Sequence, residues 1–330
     1  MTHPLSSLPN HYAVLEVDGS NFTTVARQRL ATVTSDFGSG KRESHDATPF
    51  YERFSPPVVS PDERVSAPVS LDTIFVGDAR KMSDLQVADR SVALLVTSPP
   101  YFTGKEYETD VTAGHVPSSY VEYLEMLRDV FAVSLRKLEP GGRMAINVAN
   151  LGRKPYRSLS ADLISILQDD LGMLLRGEVI WQKAKGAGGS CAWGSYRSPQ
   201  NPVLRDITER VVIASKGRFD RAVKRPKREA QGLPHLPTIE TDEFLGATLD
   251  VWDIPSERAT RVGHPAPFPV ALPRRLIELY TYQDDLILDP FLGSGTTAVA
   301  AIETGRHYVG FDTEEEYITL AEERIAGTAQ

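Results

Sequence analysis

The sequence predicts a doubly wound α/β sheet whose strands occur in cyclically permuted order. The stretch from Asp285 to Asp312 reads strand, glycine turn, helix, strand, and ends on an acid. Only eighteen residues follow Asp312, room for one helix over Glu314 to Ile325, so the remaining strands of the sheet must come from earlier in the chain. Upstream, residues 71 to 182 alternate strand and helix as βαβαβαβ, the pattern of a parallel sheet covered on both faces.

In order along the chain, residues 1–70 are an extension and linker. Tyr12 to Val17 and Phe22 to Leu30 could pair as a hairpin, and Gly38 to Ser70 is rich in Ser, Pro and charge. Thr73 to Val76 is a strand ending at Gly77-Asp78, followed by a short helix over Ala79 to Gln86. Ser91 to Val96 is an almost unbroken apolar run, typical of a strand buried on both faces. Tyr120, Leu124, Leu127, Phe131 and Leu135 mark one face of a long helix, which Glu139-Pro140-Gly141-Gly142 stops. Strand Arg143 to Val148, helix Ser160 to Leu171 and strand Glu178 to Trp181 follow. The texture then changes. Residues 183–261 read as an insert: a glycine-rich loop with Trp193, Tyr196 and Arg197, a strand over Arg210 to Ala214, and a basic run from Lys216 to Arg228. Order resumes in 262–330 with helix Pro273 to Tyr280 and the strand into the glycine turn.

Composition is that of an ordinary soluble globular protein, with 41% hydrophobic and 24% charged residues. The chain has neither a membrane-length apolar run nor a signal-peptide pattern, which makes the cytoplasm the expected compartment. The lone Cys191 leaves no cysteine-based metal cluster, and no metal is expected. The net charge is −8, but twelve Lys/Arg against three acids between Lys183 and Arg228 give that segment +9 and the remainder −17. Such asymmetry fits a nucleic-acid partner.

The glycine stretch Asp289-Pro290-Phe291-Leu292-Gly293-Ser294-Gly295-Thr296-Thr297 lets backbone turn tightly at a helix N-terminus. Asp312, nineteen residues beyond Gly293 at a strand end, is placed for ribose hydroxyls. Together they read as an adenosine-cofactor site. A nicotinamide dinucleotide fits these residues too, whereas a P-loop would need lysine where Thr296 stands. At the end of the apolar strand, Thr97-Ser98-Pro99-Pro100-Tyr101 has two prolines that fix φ and remove two N–H donors. Carbonyls, the Ser98 hydroxyl and the flat Tyr101 ring then suit a planar group bearing an NH2. Asp78 and Ser98 share the strand-end rim where open α/β sheets bind ligands.

Thr97 to Tyr101, together with Asp289 to Thr297, resembles the amino-DNA methyltransferases that use S-adenosyl-L-methionine, in the permuted order of their β group. The likeness covers 71–182 and 262–330, is weak between them and absent in 1–70. It implies a Rossmann-like methyltransferase sheet with a target-recognition insert. The cofactor-binding set it implies is Asp78, Asp289, Pro290, Phe291, Gly293, Ser294, Gly295, Thr296, Thr297 and Asp312. Ser98, Pro99 and Pro100 would accept hydrogens from the target amine, and Tyr101 would stack on the extruded base. Serine at the first catalytic position is associated mainly with N4-cytosine methylation; adenine N6 is the alternative. Duplex DNA would be the partner, contacted by Trp193, Tyr196, Arg197, Lys216, Arg218, Lys224, Arg225, Lys227 and Arg228, with a companion restriction endonuclease in a restriction–modification system. A dehydrogenase would leave Ser98 to Tyr101 unexplained. A non-catalytic nucleic-acid-binding protein would leave two unbroken motifs unexplained.

Overall fold

A computed structural model describes residues 58–102, 117, 119–151, 156–183, 194–204, 206–256 and 268–328. The hairpin expected over Tyr12 to Leu30, most of the linker and Trp193 lie outside these. Eight strands form one sheet: β1 (Thr73–Val76), β2 (Val92–Thr97), β3 (Leu138–Val148), β4 (Leu174–Gln182), β5 (Thr208–Ser215), β6 (Val251–Asp253), β7 (Leu286–Asp289) and β8 (His307–Asp312). Their spatial order is β1-β8-β7-β2-β3-β5-β4-β6. The two C-terminal strands therefore sit between β1 and β2, all in parallel pairing. This is the permutation expected from the chain order.

Side chains alternate across the sheet, so each strand feeds two cores. Leu95, Met144 and Ile146 join Leu127 and Phe131 of helix α1 (Tyr120–Lys137) and Leu163 of α2 (Leu159–Ser165). Leu94, Val96 and Ala145 join the other side, with Leu276 of α5 (Ala271–Tyr280), Ala298 of α6 (Thr296–Glu303) and Ile318 of α7 (Glu315–Thr328). Between them lie α3 (Arg225–Ala230) and α4 (Thr241–Ala247). Every residue of β2 is buried, as its apolar run requires.

One expectation needs correction. The helix expected over Ala79 to Gln86 is a single 3-10 turn, Ala79–Lys81, because Met82 already leaves helical geometry (ψ 115°). Beside the strands of 71–182, β5 runs antiparallel to both β3 and β4. Residues 183–261 supply β5 to the interior of the sheet and β6 to its edge, where Trp252 is buried.

Candidate active site

The parallel register pairs Thr97 with Ile146 and Leu288 with Leu95, so the carboxyl ends of β2, β3 and β7 finish side by side. One cleft opens there. Ser98, Pro99, Pro100 and Tyr101 line it together with Pro290, Phe291, Gly293, Ser294 and Thr296, and Asp78 and Asp312 share it. Two motifs separated by almost two hundred residues thus form one continuous cavity. Asp289, Gly295 and Thr297 do not line it; they stand behind.

Each supporting residue has its own task. Asp289 is buried, and its Oδ1 accepts from Thr97 Oγ1 at 2.6 Å and from Phe291 N at 3.1 Å, locking the glycine turn to the catalytic strand. Gly295 has φ 77°, and a Cβ there would lie 2.9 Å from that of Ala321, so this glycine admits α7 rather than a ligand. Arg324 of α7 donates to Ser294 O, Ser294 Oγ and Thr296 Oγ1, bracing the turn from behind. Gly293, with φ 50°, is the glycine that faces the cleft, and its N–H donates to Asp312 Oδ2 at 2.8 Å.

Burial pushes the Asp289 carboxyl up to about 6, against which the bonds from Thr297, Thr97 and Phe291 work. Because that value exceeds the usual 3.8, the folded protein holds a proton between these pH values that the unfolded chain releases. Stability from this group is complete below the lower value and is lost as pH rises through the upper one. Asp289→Asn is expected to abolish this decline and to be the more stable form at pH 7.5, by about 3 kcal/mol at most. Urea melts of both proteins at pH 5 and 7.5 check this; a decline unchanged in the variant would assign it elsewhere.

Asp312 is likewise pushed up by burial, offset by the N–H groups of Glu314 and Gly293. Both its oxygens keep a lone pair for a hydroxyl donor. Burial would raise Asp78 too, but the Arg80 side chain and backbone N–H hold it below the usual carboxylate range. A carboxylate pair beside a glycine that leaves room suits the ribose and amine of an adenosyl ligand, so the residues present fit such a cofactor.

At the catalytic end, Ser98 Oγ lies 2.9 Å from Tyr101 OH, which donates to Glu209 Oε2 at 3.0 Å. Asn147 Nδ2 donates to Tyr101 OH at 2.8 Å and to Glu209 Oε2 at 2.6 Å, with a longer bond to Ser98 Oγ at 3.4 Å. Lys183 Nζ holds Glu209 Oε1 at 2.7 Å. Burial first, and the Glu209 charge second, push the Tyr101 phenol well above its usual range, so it remains a neutral hydroxyl. Asn147, Lys183 and Glu209 were not singled out in the sequence as site residues. Asn147 stands one residue before the end of a parallel strand at the functional rim, where the same strand-end rule places Ser98. Glu209 reaches that rim only because β5 is antiparallel, which brings its N-terminal residues there opposite Trp181.

The same antiparallel run carries the C-terminal end of β5, and the basic run after it, to the far side. Register pairs Arg143 with Ser215 and Asn147 with Val211; at a rise of about 3.3 Å per residue the four steps from Arg143 to Asn147 span about 13 Å. Lys216 to Arg228 therefore begins at the rim opposite the cleft. Several of these cations are also occupied. Lys216 Nζ donates to the Arg136 and Leu138 carbonyls at the end of α1, and burial lowers it to about 8. Arg228 is buried on Asp285, and Arg218 meets Glu63, Asp220 and the Asp62 carbonyl. Lys224 pairs with Asp220, Lys227 lies 3.6 Å from Glu63, and Arg225 is exposed. This run therefore starts away from the cleft, and Arg218, Lys224, Lys227 and Arg228 each meet an acid there. Tyr196 and Arg197, both exposed, belong instead to the connection between Gln182 and Thr208, whose two ends are at the catalytic rim.

The fold and this cleft define a Rossmann-like methyltransferase architecture. A family model described as DNA methylase matches residues 92–323, and the chain belongs to that family. It is a DNA methyltransferase. Among curated relatives it is similar to the Type II methyltransferase M.BglI of Bacillus subtilis, 29% identical over 76% of this chain and 84% of the relative. M.ScaI of Streptomyces caespitosus, also a Type II methyltransferase, is 30% identical over 72% of this chain and 76% of its own length. Among solved structures, TTHA0409 of Thermus thermophilus, described as a DNA modification methylase and complexed with S-adenosyl-L-methionine, superposes with a TM-score of 0.57. It is 28% identical over 77% of this chain and 93% of that one. The cytosine-N4-specific PvuII DNA methyltransferase has the same fold, with a TM-score of 0.57 at 21% identity over 79% of this chain and 93% of its own. No helix among the described residues is long and apolar enough to cross a membrane.

Proposed function

We propose that the protein transfers a methyl group to the exocyclic N4 amine of a cytosine swung out of duplex DNA, as the modification half of a restriction–modification pair. The methyl donor is S-adenosyl-L-methionine, which supplies a methyl group on a positively charged sulfur. Phe291, Gly293 and Asp312 hold it, with Asp78 toward the adenine. One observation carries the reading: the cleft that holds these residues also holds Ser98 and Pro99, two acceptors with no competing proline N–H beside them. An amine conjugated to its ring has little free lone pair. Acceptors at Ser98 Oγ and the Pro99 carbonyl draw its hydrogens out of the ring plane and free that pair for in-line attack. Positioning supplies much of the rate. Extruding the base costs a few kcal/mol, partly returned by the Tyr101 ring, whose hydroxyl end is held by Glu209 and Asn147. Serine rather than an acid at position 98 favours cytosine.

Methylome sequencing of DNA from an expressing host tests this. N4-methylcytosine within one short recurring sequence is expected; N6-methyladenine there would change the base and keep the chemistry, and unmodified DNA would overturn the reading.

DNA contacts are assigned to Tyr196 and Arg197, with Trp193 in the same connection and Lys183 at its start. Arg197→Ala is expected to weaken binding and reduce the salt slope by about 1. Neutralising Lys224, Arg225 and Lys227 together is expected to change neither. Fluorescence anisotropy across a salt series decides between the two surfaces.

A further inference from the structure

Glu209 is not among the motifs by which the chain was read, yet it ends a chain of hydrogen bonds that begins at Ser98. We infer that Glu209 is the positioning residue that sets the direction of this chain, making Ser98 Oγ an acceptor toward the target amine, and that it takes up the proton the amine releases. The inference rests on the proposed amino methylation and names a residue that drives it.

An ionised carboxylate can only accept. Glu209 receives Lys183 Nζ at 2.7 Å on Oε1, and Asn147 Nδ2 at 2.6 Å and Tyr101 OH at 3.0 Å on Oε2. Tyr101 has one hydrogen, so once it points at Glu209 its oxygen can only accept from Ser98, 2.9 Å away. Ser98 in turn has one hydrogen, and it is spent on Tyr101. Asn147 Nδ2, at 3.4 Å from Ser98 Oγ, is a donor there and cannot take that hydrogen. What Ser98 presents to the cleft is therefore a lone pair. Without a charge at the far end, a serine hydroxyl is as ready to donate as to accept, and a donor facing an NH2 group would repel it. Both Asn147 and Glu209 are buried, so water does not compete for these bonds.

The same chain carries the proton away. As the amine lone pair forms the N–C bond and the C–S electron pair leaves on sulfur, the nitrogen is left with one proton too many. That proton passes to Ser98 Oγ, the Ser98 proton to Tyr101 and the Tyr101 proton to Glu209 Oε2. Charge and atoms balance, with Lys183 beside the carboxyl and solvent reached at the half-exposed Lys183 end.

A double-mutant cycle tests the inference. In Glu209→Gln the amide places its oxygen toward Lys183 and its NH2 toward Tyr101, which reverses the chain. Turnover is expected to fall about 10²-fold in the Ser98 background and by less than about threefold in the Ser98→Ala background, because Glu209 acts through Ser98. Cofactor affinity by calorimetry is expected to stay at the wild-type value, while the melting temperature falls, because the new NH2 meets the Asn147 NH2 where Oε2 stood. Should Glu209→Gln not fold, Tyr101→Phe, which severs the chain at its middle, takes its place in the cycle with the same expectation. Equal losses in both backgrounds, or no loss in either, would overturn the inference while leaving amino methylation standing. A wild-type protein that labels no amine would overturn both.

Discussion

Ser98→Ala is expected to lower kcat by about 10²- to 10³-fold while the affinity for S-adenosyl-L-methionine stays unchanged. The magnitude is that of removing one aimed polar group from a transition state. The hydroxyl contributes little while the amine is planar and most when its hydrogens are drawn aside, so the loss should fall on the chemical step. The fold should tolerate the change. Tyr101 OH keeps Asn147 and Glu209 as partners, and the Thr97–Asp289 bond that ties the two motifs together is untouched. Single-turnover transfer of a labelled methyl group, with calorimetric titration of the cofactor, separates the two quantities. Weakened cofactor binding with an unchanged chemical step would place Ser98 in the cofactor site instead.

Arg221→Met is expected to cost about 3–5 kcal/mol, a large part of the stability of an ordinary domain. Arg221 is buried between Glu139 and Asp285, bonded to the latter at 2.9 Å and to the former through Nε, and its Nη1 also reaches the Tyr280 carbonyl. Arg228 completes the cluster on the other oxygen of Asp285, with its guanidinium 4.5 Å over the Tyr282 ring. Two cations and two anions balance. Burial would raise Asp285, and the two arginines together hold it below the usual carboxylate range; burial leaves Glu139 raised even so. Removing Arg221 leaves two buried acids to one remaining cation, the situation in which a buried pair is most costly to break. Urea denaturation measures the loss. A change under about 1 kcal/mol would mean the cluster is neutralised by proton uptake, and the fold's attachment of α3 to β7 would rest on packing alone.

That cluster also explains why the sequence was more legible in one half than in the other. The sheet could be read because its signals are local: the apolar run of β2, the glycine turn before α6 and the acid at the end of β8 each announce their own structure. The permutation showed in the order of the motifs, the catalytic strand end first and the glycine turn last. The basic run Lys216 to Arg228 gives an equally strong local signal, but charge in a sequence does not say what it faces. Arg221 and Arg228 meet Asp285 across some sixty residues, and Lys216 meets the carbonyl end of α1. Direction was the second hidden quantity. β5 has the same composition whether it runs parallel or antiparallel, yet only the antiparallel course brings Glu209 to Ser98 and sends Lys216 to the opposite rim. Asn147 was within reach of the strand-end argument; Glu209 was not.

The base that receives the methyl group is the most direct test of the account. Plasmid DNA would be treated with the protein and S-adenosyl-L-methionine carrying a labelled methyl group, digested to nucleosides, and the labelled nucleoside identified by mass, with Ser98→Ala as the control. Label in N4-methylcytosine is expected, with the control reduced by about 10²- to 10³-fold. Label in 5-methylcytosine, or equal labelling by the control, would contradict it.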